Sequence, residues 1–307
     1  MIKNKSRKRP PAQRQWVSFK PELDTWIALV SVPAMTMLYY LNTHYGFEHP
    51  AVFFIGFVFL GHLLLNTVLP VYVVLVMRGE GLSELGFTKN KLLTSFIISA
   101  LLVASIYPSL IAVLKSFDGN PAPNIAYNAI ALWEPLFVFG WLQLRFERAF
   151  GIIAGVLMAS FGFMSYHIGS FPPDMLIVLF MTGAFYGAIF AYVRNLCVLI
   201  PITWAAASTM GTIQGGYIFD WLTVSIYVVV LVLQILILWY FSKRAFKGLN
   251  SASIQNEFVK GVGGNCLLLG LFLVFSARFE GHSCGRGICH LVRSWYTIYN
   301  THWAGVF

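Results

Sequence analysis

Eight long apolar runs, at roughly 25–41, 51–77, 92–114, 125–142, 151–169, 175–193, 196–213 and 221–241, dominate this sequence. About 20 apolar residues wound as a helix match the hydrocarbon thickness of a bilayer. The runs are continuous rather than alternating, so they read as helices and not as barrel strands, whose side chains would repeat every second residue. Of 307 residues, 58% are hydrophobic and 11% are charged, with a mean hydropathy of +0.71. Soluble domains carry about 25% charged residues, so that class is excluded. An aromatic content of 16% excludes a disordered chain. The expected fold class is an all-α polytopic membrane helix bundle of about eight transmembrane helices.

The charges test that count. The net charge of +9 arises from 21 Lys and Arg against 12 Asp and Glu. Basic residues lie between apolar runs, which points to membrane topology and away from nucleic acid. With the N-terminus inside, the inner loops hold seventeen Lys and Arg: Lys3, Lys5, Arg7, Lys8, Arg9, Arg14, Lys20, Arg78, Lys89, Lys91, Arg145, Arg148, Arg194, Lys243, Arg244, Lys247 and Lys260. The outer loops hold only Lys115. This asymmetry predicts a cytoplasmic N-terminus. No short apolar stretch with a small-residue cleavage site follows the early charges, so the run from Trp26 to Leu41 reads as a retained span rather than a signal peptide. Short loops throughout suit a bacterial inner membrane.

Three regions follow: a basic cytoplasmic tail over 1–24, a transmembrane bundle over 25–245, and a tail over 246–307 of different character. Ser251 to Gly264 is polar and glycine-rich, and Cys266 to Phe275 is apolar but short for a span. A ninth span, an amphipathic end and an altered reading frame all fit that tail. Cys284 and Cys289, with His282 and His290, have metal-like content, but their spacing matches neither a zinc knuckle nor a haem attachment. No cofactor or metal is expected.

Ionisable groups inside spans are costly, and each is a functional candidate. Glu134 lies in the fourth run beside Pro135, and His167 lies in the fifth. His62 and Asn66 share a face of the second run, which reads as hydrogen bonding to a neighbouring helix. Trp204, Ser208 and Thr209 give the seventh run a polar face, and Gly183 with Gly187 form a small-residue packing face. A carboxylate and an imidazole in a largely water-excluded site suit general acid–base work on water, or a proton relay in a transporter. Against the transporter stand the single deep acid, two deep histidines and the absence of repeat symmetry.

The run Glu134-Pro135-Leu136-Phe137-Val138-Phe139-Gly140-Trp141-Leu142-Gln143, continued by Arg145-Phe146-Glu147-Arg148-Ala149-Phe150-Gly151, resembles the first motif of the CPBP (CAAX protease and bacteriocin-processing, Abi) family of intramembrane endopeptidases. That motif reads E-E-x-x-x-R, followed by G-W-L-Q. The second family motif, F-x-x-x-H, resembles Phe163 to His167. Gly183 to Gly187 with Tyr192-Val193-Arg194-Asn195 is similar to the family's next helix and turn, and Leu82 to Phe87 to its loop before the third span. The resemblance covers about residues 80–215. It departs at Pro135 for the second Glu and Phe139 for the Arg. Trp204 and Ser208 stand for the third-motif His and Asn.

The resemblance implies peptide-bond hydrolysis at the membrane, on a membrane-associated peptide or protein substrate. Glu134 would activate the water and His167 would help to hold it. Trp204 and Ser208, both hydrogen-bond donors, take the oxyanion positions, with Phe163 and Phe139 lining the site. Membrane lipids are the other expected partner, and nucleic acid is not one. Zinc is disfavoured, because Glu134 and His167 supply two ligands where catalytic zinc takes three. The alternative is a catalytically inactive relative acting as a membrane scaffold or binding protein.

Overall fold

A computed structural model describes residues 15–46, 48–200 and 202–245, with side chains as far as Lys243. The basic residues before Gln15, the tail from 246 and its Cys266, Cys284 and Cys289 lie outside the described residues. Eight helices form among the described residues, in the order the apolar runs predict. They are α1 (Leu23–Tyr45), α2 (Val52–Met77), α3 (Leu92–Ser116), α4 (Ala122–Phe150), α5 (Ile152–Ser165), α6 (Pro173–Val193), α7 (Ile202–Gln214) and α8 (Trp221–Ala245). No strand forms among them. The chain is an all-α bundle, and α2, α3, α4, α6 and α8 are each long and apolar enough to cross a membrane.

The other three helices differ from the expected spans for local reasons. The run 151–169 yields a helix of only 14 residues, and 196–213 one of 13. Each rises about 20 Å, short of the ~30 Å hydrocarbon layer. At the fifth run, Gly151 takes a φ of +91° that starts α5 abruptly, and the chain turns at 166–171. At the seventh, the Asn195 side chain accepts from the Cys197 amide and caps a separate turn at Leu196–Val198 before α7 begins. Helix α1 is long enough at 23 residues, but its buried face carries Asp24, Thr25 and Ser31.

Helix α4 is the centre of the bundle, with 83% of its apolar window buried, whereas only 6% of that of α3 is. Glycines let its neighbours approach. A Cβ on Gly183 would lie 3.2 Å from Ser160 Cα, and one on Gly187 3.1 Å from Gln143 Oε1. The G-x-x-x-G face therefore packs α6 onto α5 and α4. Gln143 donates to the Gly187 carbonyl at 2.8 Å and to Glu147 at 2.7 Å, and Glu147 pairs with Arg194.

One end of the bundle is closed by charge. Arg78, at the end of α2, pairs with Glu22 and donates to Asp24 at 2.7 Å. Arg145, almost wholly buried near the end of α4, donates to Asp24 at 3.1 Å and to the Glu84 carbonyl at 2.9 Å. Arg148 pairs with Glu80 at 2.7 Å. The Arg78 hydrogen bond holds Glu22 below the ordinary carboxylate range. Burial pushes the Asp24 carboxyl upward, but the hydrogen bond from Arg78 and the charge of Arg145 outweigh it, and the net shift is downward. This clasp joins the start of α1 to the ends of α2 and α4.

Candidate functional site

The site forms where α4 breaks. Pro135 has no amide hydrogen, and its ring crowds the carbonyl four residues earlier, which is that of Ala131. Ala131 leaves the helical region, with φ −75° and ψ 69°. The helix resumes at Trp133, so Glu134 sits in the first turn after the break, near the middle of the longest buried helix. A kink at this point aims the Glu134 carboxylate at the end of α5 rather than along the α4 packing face.

Helix α5 delivers the partners. It ends at Ser165, and Tyr166 and His167 follow in its terminal turn. The backbone folds back there, with the Ser170 amide donating to the His167 carbonyl at 3.0 Å. A hydroxyl contact of 2.7 Å between Ser170 and Thr43 ties this turn to α1. Tyr166 donates its hydroxyl to Glu134 Oε1 at 2.7 Å. Trp204, on α7, donates its indole N–H to Glu134 Oε2 at 2.8 Å. His167 Nε2 lies 3.9 Å from Glu134 Oε1. Its Nδ1 lies 2.8 Å from the Phe163 carbonyl, and a carbonyl only accepts, so Nδ1 carries the hydrogen.

Rings enclose these groups. Trp204 meets Phe139 edge-on at 5.4 Å and Phe163 at 5.6 Å. His167 meets Phe163 at 5.1 Å and Tyr39 of α1 at 5.2 Å. Both Phe139 and Phe163 are buried. Glu134, His167, Trp204, Phe163 and Phe139 are thus brought together. Ser208, half-buried one turn beyond Trp204, makes no hydrogen bond to Glu134 or His167 among the described residues.

Two partners escaped the sequence reading. Tyr166 is a direct donor to the carboxylate, and the only signal for it was its place beside His167. Tyr39 comes from α1, outside the stretch that carries the motifs. His62 hydrogen-bonds to a neighbouring helix as expected, with Nδ1 3.0 Å from the Tyr227 hydroxyl of α8. Its ring also stacks on Trp133 at 4.0 Å and 17°, backing the residue before Glu134. Asn66 donates to Met35 Sδ at 3.5 Å.

Chemically, the centre offers a carboxylate with two neutral donors and an imidazole lone pair beside it. Among the described residues no group of three or more His, Cys, Asp or Glu is placed to hold a metal ion. No family model, curated protein or solved structure matches the chain.

Proposed function

We propose that this integral membrane protein is of the CPBP type and acts as a glutamate-dependent intramembrane endopeptidase on membrane-associated peptides, with Glu134 as the base and His167 holding the water. The observation that supports this is the 3.9 Å between His167 Nε2 and Glu134 Oε1. With Nδ1 donating to Phe163, a neutral His167 presents a lone pair at Nε2, and the carboxylate also only accepts. Two acceptors facing each other need a donor between them. A water at ordinary hydrogen-bond distance from both sees them at roughly a right angle, which suits its two hydrogens.

In the reaction, Glu134 takes a proton from that water as its oxygen attacks the peptide carbonyl. The tetrahedral oxyanion then collapses, the C–N bond breaks, and Glu134 returns the proton to the leaving amine. The charge asymmetry supports a cytoplasmic N-terminus, and the short loops support a bacterial inner membrane.

A second reading, a catalytically silent relative that binds or scaffolds in the membrane, is favoured by one specific contact. The Trp204 N–H, at an oxyanion position in the resemblance, is spent on Glu134 itself at 2.8 Å. Losing one oxyanion donor lowers rates by about 10²- to 10³-fold. The two readings separate when peptide ends are compared between cells carrying the wild type and Glu134→Gln. Peptide ends that vanish in the variant support the endopeptidase. Identical profiles from stably inserted proteins leave the scaffold.

A further inference from the structure

We infer that residues 15–20 form an interfacial strap that docks on an acidic lipid leaflet. The backbone of this segment runs antiparallel across the corner between α4 and α5. The Ser18 amide donates to the Phe150 carbonyl at 3.0 Å, the Lys20 amide to the Ala149 carbonyl at 2.7 Å, and the Ile152 amide to the Gln15 carbonyl at 3.1 Å. The corner is built for it, because a Cβ on Gly151 would lie 2.5 Å from the Trp16 carbonyl oxygen. The strap is therefore fixed to the bundle, and one edge of the Phe19 ring meets Phe150 at 5.8 Å, yet most of the surface of its large side chains stays open. Trp16 is 70% exposed, Val17 77% and Phe19 81%.

Charge names the occupant of that face. The first 21 residues carry seven Lys and Arg and no Asp or Glu. Exposed aromatic rings beside a run of cations match the interfacial region of a membrane, where rings sit among headgroups and cations meet acidic lipid. The acids at the end of the bundle beneath the strap are already engaged, since Glu22, Asp24 and Glu80 are paired with Arg78, Arg145 and Arg148, and Glu84 lies 3.9 Å from Arg145. Each added cation near an acidic leaflet raises partitioning about fivefold at low salt. Lys20 lies in the strap itself, and the other six precede it in the sequence. The strap also grips the hinge between the helix that carries Glu134 and the helix that leads to His167.

Amide hydrogen exchange on the full chain in nanodiscs, read over peptides covering residues 1–22, tests this. One set of discs contains only zwitterionic lipid, and the other includes phosphatidylglycerol. The expected result is exchange slower by on the order of tenfold in the acidic discs, reversed by high salt. Trp16→Ser combined with Phe19→Ser is expected to reduce the protection, while exchange in α6 stays as in the wild type. Equal exchange in both lipids, or protection that ignores salt, overturns the proposal. Protection that instead follows protein concentration in zwitterionic discs overturns it in favour of a second copy of the chain.

Discussion

The indole N–H of Trp204 donates to Glu134 Oε2 at 2.8 Å, so the acid beside the break in α4 is held by a residue 70 positions away. Tyr166 holds the other oxygen at 2.7 Å. These two neutral donors, rather than a cation, are what solvate the carboxyl group. Removing either leaves a buried oxygen short of a partner. Trp204→Phe and Tyr166→Phe are each expected to cost about 1–3 kcal/mol, measured by unfolding in detergent micelles. In a Glu134→Leu background the same substitutions are expected to cost much less, because the acceptor is already gone.

If Trp204 and Ser208 stand at oxyanion positions, restoring the resembled pair is expected to raise activity. Trp204→His with Ser208→Asn is predicted to increase the rate at which Glu134-dependent peptide ends appear, by on the order of 10²-fold. The measurement is a time course of those ends in membranes of the two proteins. An unchanged rate, with the double variant stably inserted, places the oxyanion donors elsewhere.

The charged clasp makes stability depend on pH in one direction. Asp24 and Glu22 are both held below their ordinary values of 3.8 and 4.5. Their contribution is complete above those ordinary values and is lost as pH falls through the lower folded ones. The thermal midpoint is therefore expected to fall below about pH 4. Asp24→Asn is expected to flatten that fall while lowering the midpoint at neutral pH, since Arg145 loses its charged partner. Arg145→Met is expected to cost about 3–5 kcal/mol, because it leaves Asp24 buried with one cation fewer.

Close approach of α5 and α6 gives a further prediction. A Cβ on Gly183 already lies 3.1 Å from Phe163 Cδ1 and 3.2 Å from Ser160 Cα. Backbone on one side leaves little room to give. Gly183→Val is expected to destabilise by about 1–3 kcal/mol and to displace Phe163 from His167. Unfolding midpoints and the ring contacts of His167 in NMR spectra check both parts.

Much of this was legible because hydrophobic length and charge asymmetry are written directly in the chain. The eight helices follow the eight apolar runs. The break before Glu134 follows from Pro135 acting on Ala131. What composition cannot show is how far a helix continues once it meets a turn. The turn that follows Ser165 and the Asn195-capped turn shorten α5 and α7, although the apolar runs extend through both turns. Their place as ionisable groups inside apolar runs made Glu134 and His167 candidates but could not say what lies between them. The role of Tyr166 depends on the terminal turn of α5, and that of Tyr39 on α1 folding back across the core. Both are tertiary facts with no periodic signal.

The water-activating role of Glu134 and His167 is tested by an experimental density map of the full chain in lipid at a resolution that shows ordered water. The expected density is a water within hydrogen-bond distance of both His167 Nε2 and Glu134 Oε1, with Trp204 and Tyr166 on the carboxylate. A direct hydrogen bond from His167 to the carboxylate, or an imidazole turned away from it, contradicts a water-activating role for this pair.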